Sequence, residues 1–127
     1  MQWGVDNRSC VLRAPISDPA NRRIEVRLPG ADANPYLAIT ASLICGYLGM
    51  IEEIEPSPQV FGNAYVHART LPKTLEEALE RFNHCRKVCD MLDPSFVKTF
   101  NAIKEAELQA FQGVISSWER DHLLLKV

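Results

Sequence analysis

The sequence predicts an α+β fold in which an antiparallel β-hairpin packs against three α-helices. Charged and apolar residues alternate between positions 22 and 28, which is the pattern of a strand with one buried face. After residue 34, apolar residues recur at helical spacing over most of the chain. An isolated hairpin is unstable in water, so helices should cover its apolar face. Two strands are few for 127 residues, so we expect them to belong to a larger sheet.

The hairpin is expected within residues 8–28. Its first strand covers about 9–14 and ends before Pro15, and turn-forming residues then occupy 16–21. Because successive side chains of a strand point to opposite faces, the second strand has a charged face and an apolar face. The charged face carries Arg23, Glu25 and Arg27. The apolar face carries Ile24, Val26 and Leu28, and Pro29 follows the strand.

Three helices are predicted, over about 34–53, 74–92 and 94–119. Their start signals are Asn34 before a proline, a capping box from Thr74 to Glu77, and Asp93 before a proline. The first helix is apolar around nearly its whole circumference, which predicts burial on most sides. The third should bury a stripe formed by Phe96, Phe100, Ile103, Phe111, Val114 and Trp118.

An irregular segment is predicted between the first two helices. Residues 53–72 contain three prolines and many polar side chains, so this segment should run over the surface. Tyr65 lies within it and is expected to have a packing role. The chain shows no internal repeat and no flexible linker, and its length is that of one domain, residues 1–127.

Composition excludes several classes of protein. The formal net charge is −2, with 46% hydrophobic and 24% charged residues, so the chain is neither disordered nor generally attracted to nucleic acid or anionic membranes. Its most apolar stretch, 35–51, contains polar and glycine residues and is too short for a typical membrane span of about 20 residues. The first ten residues lack the pattern of a secretory signal. We therefore expect a cytoplasmic protein.

The four cysteines are irregularly spaced, which favours reduced thiols over a disulfide framework. Cys85 and Cys89 lie four residues apart on a predicted helix, and His84 is adjacent. This grouping could hold zinc, but no second pair of ligands has suitable spacing, so packing is the favoured interpretation.

Arginines and one glutamate concentrate in the hairpin. A carboxylate held between guanidinium groups stays ionised, so Glu25 could ligate a divalent cation while the arginines clamp phosphate or carboxylate oxygens. The alternative is a solvated strand face with charge pairs two residues apart. Arg8 and Arg13 are an odd number of residues apart, so Arg8 should lie in the loop before the strand unless a bulge intervenes.

Four segments resemble, in their order and spacing, the catalytic domain of the glutamine synthetase family. They are Asn7-Arg8-Ser9, Leu12-Arg13-Ala14-Pro15, Arg23-Ile24-Glu25-Val26-Arg27 and Asn34-Pro35-Tyr36-Leu37-Ala38. The resemblance covers essentially the whole chain and corresponds to the C-terminal part of that domain. Cys45-Gly46-Tyr47-Leu48-Gly49-Met50 and Trp118-Glu119-Arg120 are most similar to the γ-glutamylpolyamine (putrescine) synthetase branch.

The resemblance implies an ATP-dependent ligase that phosphorylates the side-chain carboxylate of L-glutamate and transfers the γ-glutamyl group to ammonia, a primary amine or a polyamine. It also implies that Glu25 is a ligand of Mg²⁺ or Mn²⁺ and that Arg13 contacts the phosphates of ATP. Arg8 would contact both ATP and glutamate, and Arg27 would contact glutamate and the transferring phosphoryl group. Full-length members form homo-oligomers, whereas no nucleic-acid or membrane partner is implied.

The family's other metal ligands and a substrate-binding arginine would precede Asn7, and a neighbouring subunit completes its active site. We therefore expect this chain to be a C-terminal fragment that has no ligase activity by itself. The alternative is a non-catalytic fragment that serves folding or assembly and binds no ligand. Tyr65 lies near a tyrosine that some bacterial members adenylylate, but the surrounding residues differ.

Overall fold

The sheet contains one more strand than the sequence predicts. The computed structural model describes residues 2–67 and 70–124. Strand β1 is Trp3–Val5, β2 is Leu12–Ala14 and β3 is Glu25–Val26, and they lie in the order β1-β2-β3. The predicted antiparallel hairpin is confirmed by β2 and β3, and β1 pairs with β2 in parallel. The α+β class is therefore confirmed, with a sheet of mixed orientation.

Within the described residues, five α-helices follow the sheet. They are α1 (Pro35–Ile51), α2 (Leu75–His84), α3 (Arg86–Asp90), α4 (Pro94–Gln112) and α5 (Ser117–Leu123). Short 3-10 helices lie at Pro19–Asn21 and Ala64–Val66. The described part of the chain contains no helix that is long and apolar enough to cross a membrane.

The chain forms two compact units, Met1–Leu71 and Pro72–Val127. The boundary lies at the end of the predicted irregular segment. Prolines in that segment remove backbone donors and interrupt regular structure. The first unit holds the sheet and α1, and the second holds α2 to α5.

In the first unit, the segment before the 3-10 helix at 64–66 is pinned to β1. The Trp3 indole N–H donates to the carbonyl of Ser57 at 2.6 Å, and the Val60 amide donates to the Trp3 carbonyl at 2.9 Å. A Cβ at Gly4 would lie 2.9 Å from the Val60 carbonyl oxygen, so only glycine permits this approach. The segment is irregular, as predicted, but hydrogen bonds fix part of it against the sheet.

Helix α1 begins as the sequence predicts. The Asn34 side chain accepts hydrogen bonds from the amides of Tyr36 and Leu37, at 3.0 and 3.3 Å. The prediction that this helix is buried on most sides is wrong for this chain, because Ile44 is its only buried residue. Six large apolar side chains of α1 are exposed in the described part of the chain: Tyr36, Ile39, Leu43, Tyr47, Met50 and Ile51. Val26 of β3 and the flanking residues Ile24 and Leu28 are also exposed.

The second unit is built on an aromatic cluster. Phe100 meets Phe82 edge-on, with ring centroids 5.6 Å apart, and stacks with Phe96 at 5.8 Å. Helices α2, α3 and α4 pack with one another. The segment predicted as one helix over 74–92 is interrupted at Cys85, whose ψ of 70° is not helical. This interruption lets both α2 and α3 contact α4.

The third predicted helix, over 94–119, is also divided. Helix α4 ends at Gln112 because Gly113, a poor helix former, is followed by two β-branched residues. A capping box then starts α5: the Ser116 hydroxyl accepts from the Glu119 amide, and the Glu119 carboxylate accepts from the Ser116 amide. Of the predicted stripe, Phe96 and Phe100 are half-buried. The other four are exposed: Ile103, Phe111, Val114 and Trp118.

Candidate ligand-binding site

The hairpin brings Arg13 and Glu25 together. These residues are direct partners in the register of β2 and β3, so their side chains emerge on the same face of the sheet. The Arg13 guanidinium donates to Glu25 Oε2 at 2.7 Å, and Arg23 donates to Glu25 Oε1 at 3.3 Å. Both carboxylate oxygens of Glu25 therefore accept hydrogen bonds from arginine.

Arg27 does not pair with Glu25 in the structure. Its backbone amide donates to the Val11 carbonyl at 2.8 Å, but its exposed side chain forms no ion pair with any described residue. The two arginines on Glu25 are thus Arg13 and Arg23, whereas the sequence pattern places Arg23 and Arg27 beside it.

Asp6 joins this cluster and is a residue that the sequence analysis missed. Its carboxylate forms an ion pair with the Arg13 guanidinium. Asp6 adopts a left-handed conformation with φ of 48°, and its amide donates to the Ala14 carbonyl at 2.9 Å. This placement depends on the parallel pairing of β1 with β2, for which the sequence carries no periodic signal because β1 is only three residues long.

The Arg13 pairing controls the charge of Glu25. The hydrogen bond from Arg13 lowers the pKa of the Glu25 carboxyl, against the opposing effect of desolvation, and the charge of Arg23 lowers it further. Conversely, hydrogen bonds to Glu25 and Asp6 raise the pKa of Arg13. The pairing with Arg13 therefore favours the ionised form of the Glu25 carboxyl.

Arg8 lies in the loop between β1 and β2, as predicted, and lines an open groove of about 400 Å³. The opposite wall of the groove is residues 59–62. Asn7 joins the two walls, since its side-chain amide donates to the carbonyls of Val60 and Gly62 at 3.2 and 2.8 Å.

Ser9 extends this connection. Its hydroxyl donates to Asn7 Oδ1 at 2.7 Å and accepts from the Ala64 amide at 2.8 Å. Ala64 is buried, so the loop that carries Arg8 is anchored to a packed residue of the opposite wall. Side-chain hydrogen bonds of this kind explain why Asn7 and Ser9 flank Arg8 in the sequence.

The donor chemistry at Glu25 suits one ligand of a shared Mg²⁺ or Mn²⁺ site. Such ions bind through one or two ionised carboxylates together with phosphate oxygens and water, and the lowered pKa of Glu25 keeps it ionised. Within residues 2–67 and 70–124, no three His, Cys, Asp or Glu side chains are grouped as a metal cage. Glu25 would therefore need ligands from phosphates or from outside the described residues.

The cysteine and histidine group on the second unit is held by local bonds. The Cys89 thiol donates to the Phe82 carbonyl at 3.3 Å, and His84 Nδ1 lies 2.8 Å from the Glu80 carbonyl oxygen. Burial raises the pKa of the half-buried Cys89 thiol, which disfavours the thiolate that binds metal. Tyr65 is exposed, in contrast to the packing role expected from the sequence.

Comparison with known proteins identifies relatives over nearly the whole chain. A glutamate–isopropylamine ligase from a Pseudomonas species is 36% identical over 121 residues, which are 92% of this chain and 26% of the relative. The gamma-glutamylputrescine synthetase of Escherichia coli is 35% identical over 127 residues, which are 96% of this chain and 26% of that relative. A glutamine synthetase from Thermococcus kodakarensis is 34% identical over 126 residues. The alignment covers 92% of this chain and 28% of that relative.

This chain spans about a quarter of the length of the curated relatives it matches. The model of one protein family, described as glutamine synthetase, catalytic domain, matches residues 1–123. Because that match extends over almost the full sequence, it includes both the arginine–carboxylate cluster and the groove lined by Arg8. The chain belongs to the glutamine synthetase family, whose members include ligases of glutamate and amines.

Proposed function

We propose that this chain supplies part of the active site of an ATP-dependent ligase that joins L-glutamate to ammonia or an amine. The observation that carries the proposal is the arginine cluster around Glu25 and Asp6, in a chain that matches the family's catalytic domain. Transfer of a phosphoryl group depends mainly on positioning and charge neutralisation, which arginines and metal ions provide. We infer that the chain is a C-terminal part of that domain, residues 1–127, in a cytoplasmic enzyme.

In this proposal, the reaction takes two steps. ATP phosphorylates the γ-carboxylate of glutamate, which gives γ-glutamyl phosphate and ADP. Ammonia or a primary amine then attacks the acyl carbon, the C–O bond to phosphate breaks, the amine loses a proton, and phosphate leaves. A divalent ion bound in part by Glu25 would supply neutralisation of phosphate charge.

The arginines have separate proposed roles. Arg8 lines the open groove and would contact ATP and glutamate. Arg27, which is exposed and forms no ion pair with the described residues, would contact glutamate and the transferring phosphoryl group. Arg13 would contact the phosphates of ATP, and its buried Nε has no hydrogen-bond partner among the described residues. A phosphate oxygen is the type of acceptor that such a donor requires.

The names of the relatives leave two classes of acceptor for this chain, ammonia and amines. The relatives include enzymes named for isopropylamine and putrescine as well as glutamine synthetases. We propose that the acceptor is ammonia or a primary amine, including polyamines. The parent enzyme is expected to be a homo-oligomer, because the family's active site is completed by a neighbouring subunit.

Binding of Mg-ATP to the purified chain tests the proposal. We expect weak, millimolar binding, with amide chemical shifts changing at residues 5–8 and 59–62, because few of the active-site groups are present. Arg8→Gln and Arg27→Gln should each abolish these changes. Arg22→Gln removes the same charge from an exposed site in the hairpin and should leave them intact.

The same chain should form no γ-glutamyl product from ATP, glutamate and an amine. One metal-binding carboxylate and a few arginines provide too few contacts to hold both substrates and the ions together. The measurement is the ATP- and glutamate-dependent release of phosphate with ammonia or putrescine, with E. coli gamma-glutamylputrescine synthetase as the positive control. Product formation would refute the inferred incompleteness of the site.

A second function is favoured by the exposed apolar side chains of α1. A non-catalytic fragment that serves assembly would use these side chains for association and would bind no nucleotide. The two functions give opposite results in the Mg-ATP titration. If Mg-ATP changes no amide chemical shifts of the wild-type chain while the chain still self-associates, the result supports the assembly function.

A further inference from the structure

Asn7 uses the full hydrogen-bonding capacity of its side chain to hold the loop that carries Arg8. Its amide nitrogen donates to the carbonyls of Val60 and Gly62, at 3.2 and 2.8 Å. Its amide oxygen accepts from the backbone amide of Ser9 at 3.0 Å and from the Ser9 hydroxyl at 2.7 Å. Two donated and two accepted bonds are all that an asparagine amide can make. The side chain is therefore fully engaged within the chain.

The Arg8 side chain has no comparable support. It is exposed, and it forms no ion pair with any described residue. The backbone of the loop therefore fixes the point from which the guanidinium reaches the groove that it lines. That backbone is held against the opposite wall by the bonds of Asn7, which join residues 53 and 55 positions apart in the sequence.

Gly62 presents the carbonyl that receives the shortest of the bonds across the groove. Its φ is 72°, and its carbonyl accepts from Asn7 at 2.8 Å and from the Ser9 hydroxyl at 3.4 Å. A left-handed backbone suits glycine, is tolerated by asparagine and is strongly unfavourable for a β-branched residue. A Cβ at Gly62 would meet no atom within 4 Å. A substitution there thus acts on the backbone alone.

We propose that Asn7 is a positioning residue that holds Arg8 ready to meet the phosphate or carboxylate oxygens of a substrate. This inference rests on the proposed function, because it takes Arg8 as a contact of ATP and glutamate. Asn7 acts through Arg8 and does not itself touch substrate, since its amide is already fully bonded. Binding to a loop that is already held avoids the entropy cost of ordering that loop.

The first arm of the test follows the ¹⁵N-labelled full chain without ligand. The readout is the NMR order parameter of the Arg8 amide. We expect about 0.85 in the wild type, the value of a rigid backbone, and less than about 0.6 in Asn7→Ala. Asn21→Ala removes an exposed side-chain amide from the 3-10 helix at 19–21 and should leave the Arg8 value unchanged.

The second arm titrates the same proteins with Mg-ATP and follows the amide shifts of residues 5–8 and 59–62. Asn7→Ala should weaken binding on the order of tenfold, the scale of the free energy needed to fix one residue of backbone. Arg8 is still present in this variant, so the loss reports its position. Asn21→Ala should bind as the wild type does. A merely structural role of Asn7 would lower the midpoint of urea unfolding without changing the Mg-ATP affinity of the folded protein.

A third arm leaves Asn7 intact and moves the opposite wall. Gly62→Val disfavours the left-handed backbone and should both lower the Arg8 order parameter and weaken Mg-ATP binding. Gly62→Asn tolerates that backbone and should keep both values close to those of the wild type. This pair tests the same connection if Asn7→Ala does not fold.

The outcomes separate the two proposals. A rigid Arg8 amide in Asn7→Ala, or a mobile one with wild-type affinity for Mg-ATP, overturns the positioning role and leaves the proposed function standing. Equal affinities of Gly62→Val and Gly62→Asn do the same. If the wild-type chain binds no Mg-ATP, the proposed function fails, and the positioning role fails with it.

Discussion

The ionisation of Glu25 depends directly on a neighbour. Its direct partner across the hairpin is Arg13, and the hydrogen bond between them lowers the pKa of the carboxyl. A carboxyl with a lowered pKa in the folded state contributes stability above its unfolded pKa, which is about 4.3. That contribution is lost as the pH falls through the folded pKa.

We therefore predict that Glu25→Gln lowers the free energy of unfolding at pH 6 and that the difference from the wild type shrinks towards pH 3. Urea unfolding followed by circular dichroism, repeated across this range, measures the difference. Glu105→Gln, on an exposed face of α4, is the control and should show a smaller difference at pH 6. A ¹³C titration that finds an ordinary or raised pKa for Glu25 would contradict the prediction.

Asn7 and Ser9 illustrate how neighbouring residues can prepare a functional one. Neither carries charge, but together they connect the Arg8 loop to residues 60–64 through four side-chain hydrogen bonds. The longest of these, from Ser9 to the Gly62 carbonyl, is 3.4 Å. The groove beside Arg8 is therefore shaped by polar side chains rather than by apolar packing.

At the scale of elements, helix starts follow local chemistry closely. Four of the five α-helices have a side-chain cap: Asn34, Thr74, Asp93 and Ser116 accept hydrogen bonds from amides of the first turn. These amides have no partner within the helix, so a short polar side chain immediately before it is favoured. Helix α3 starts without such a cap because it continues from the interruption at Cys85.

We predict that Asn34→Ala destabilises the first unit by about 1 kcal/mol, the typical value of an N-terminal cap. Ser42 lies within the same helix, and its hydroxyl only bonds back to the Ala38 carbonyl at 2.7 Å. Ser42→Ala is therefore a matched control and should have little effect, since such a bond does not stabilise the helix. The midpoint of urea denaturation measures both variants, and equal shifts would argue against the cap.

At the scale of the whole molecule, exposed apolar surface is the dominant feature. Among the described residues, only four hydrophobic side chains are buried: Cys10, Ile44, Ala64 and Leu79. Soluble monomers rarely expose large contiguous apolar patches. The exposed side chains of α1 and β3 therefore indicate surfaces that pack against other polypeptide in the proposed parent enzyme.

We predict that the isolated chain self-associates through α1 and that Leu43→Glu reduces this association. Leu43 is 69% exposed near the middle of the helix, so a charge there opposes burial of the apolar face against another molecule. Sedimentation velocity over a range of concentrations measures the change. Thr40→Glu adds the same charge at an exposed polar position of α1 and should reduce association less; equal effects would point to net charge as the cause.

The sequence alone determined the features that depend on neighbouring residues. The hairpin of β2 and β3, the cap at Asn34, the helix start at Thr74 and the irregular segment follow from alternation, capping residues and prolines. Resemblance over several short segments was sufficient to identify the family, which the family match confirmed. The end of α4 before Gly113 also had a local signal, the capping box at Ser116 that starts α5. The apolar stripe continues past this point, so the stripe alone predicts one uninterrupted helix.

Only the tertiary structure decided which charges meet. The pairing of Asp6 with Arg13 requires β1 to lie parallel to β2, and the partners of Glu25 are Arg13 and Arg23 rather than Arg27. The exposure of α1 likewise depends on which other segments cover it. The spacing of apolar residues along the helix does not specify those segments. Local patterns report the preference of a segment for burial or for a backbone conformation, whereas contacts between distant segments depend on how strands pair and where they end.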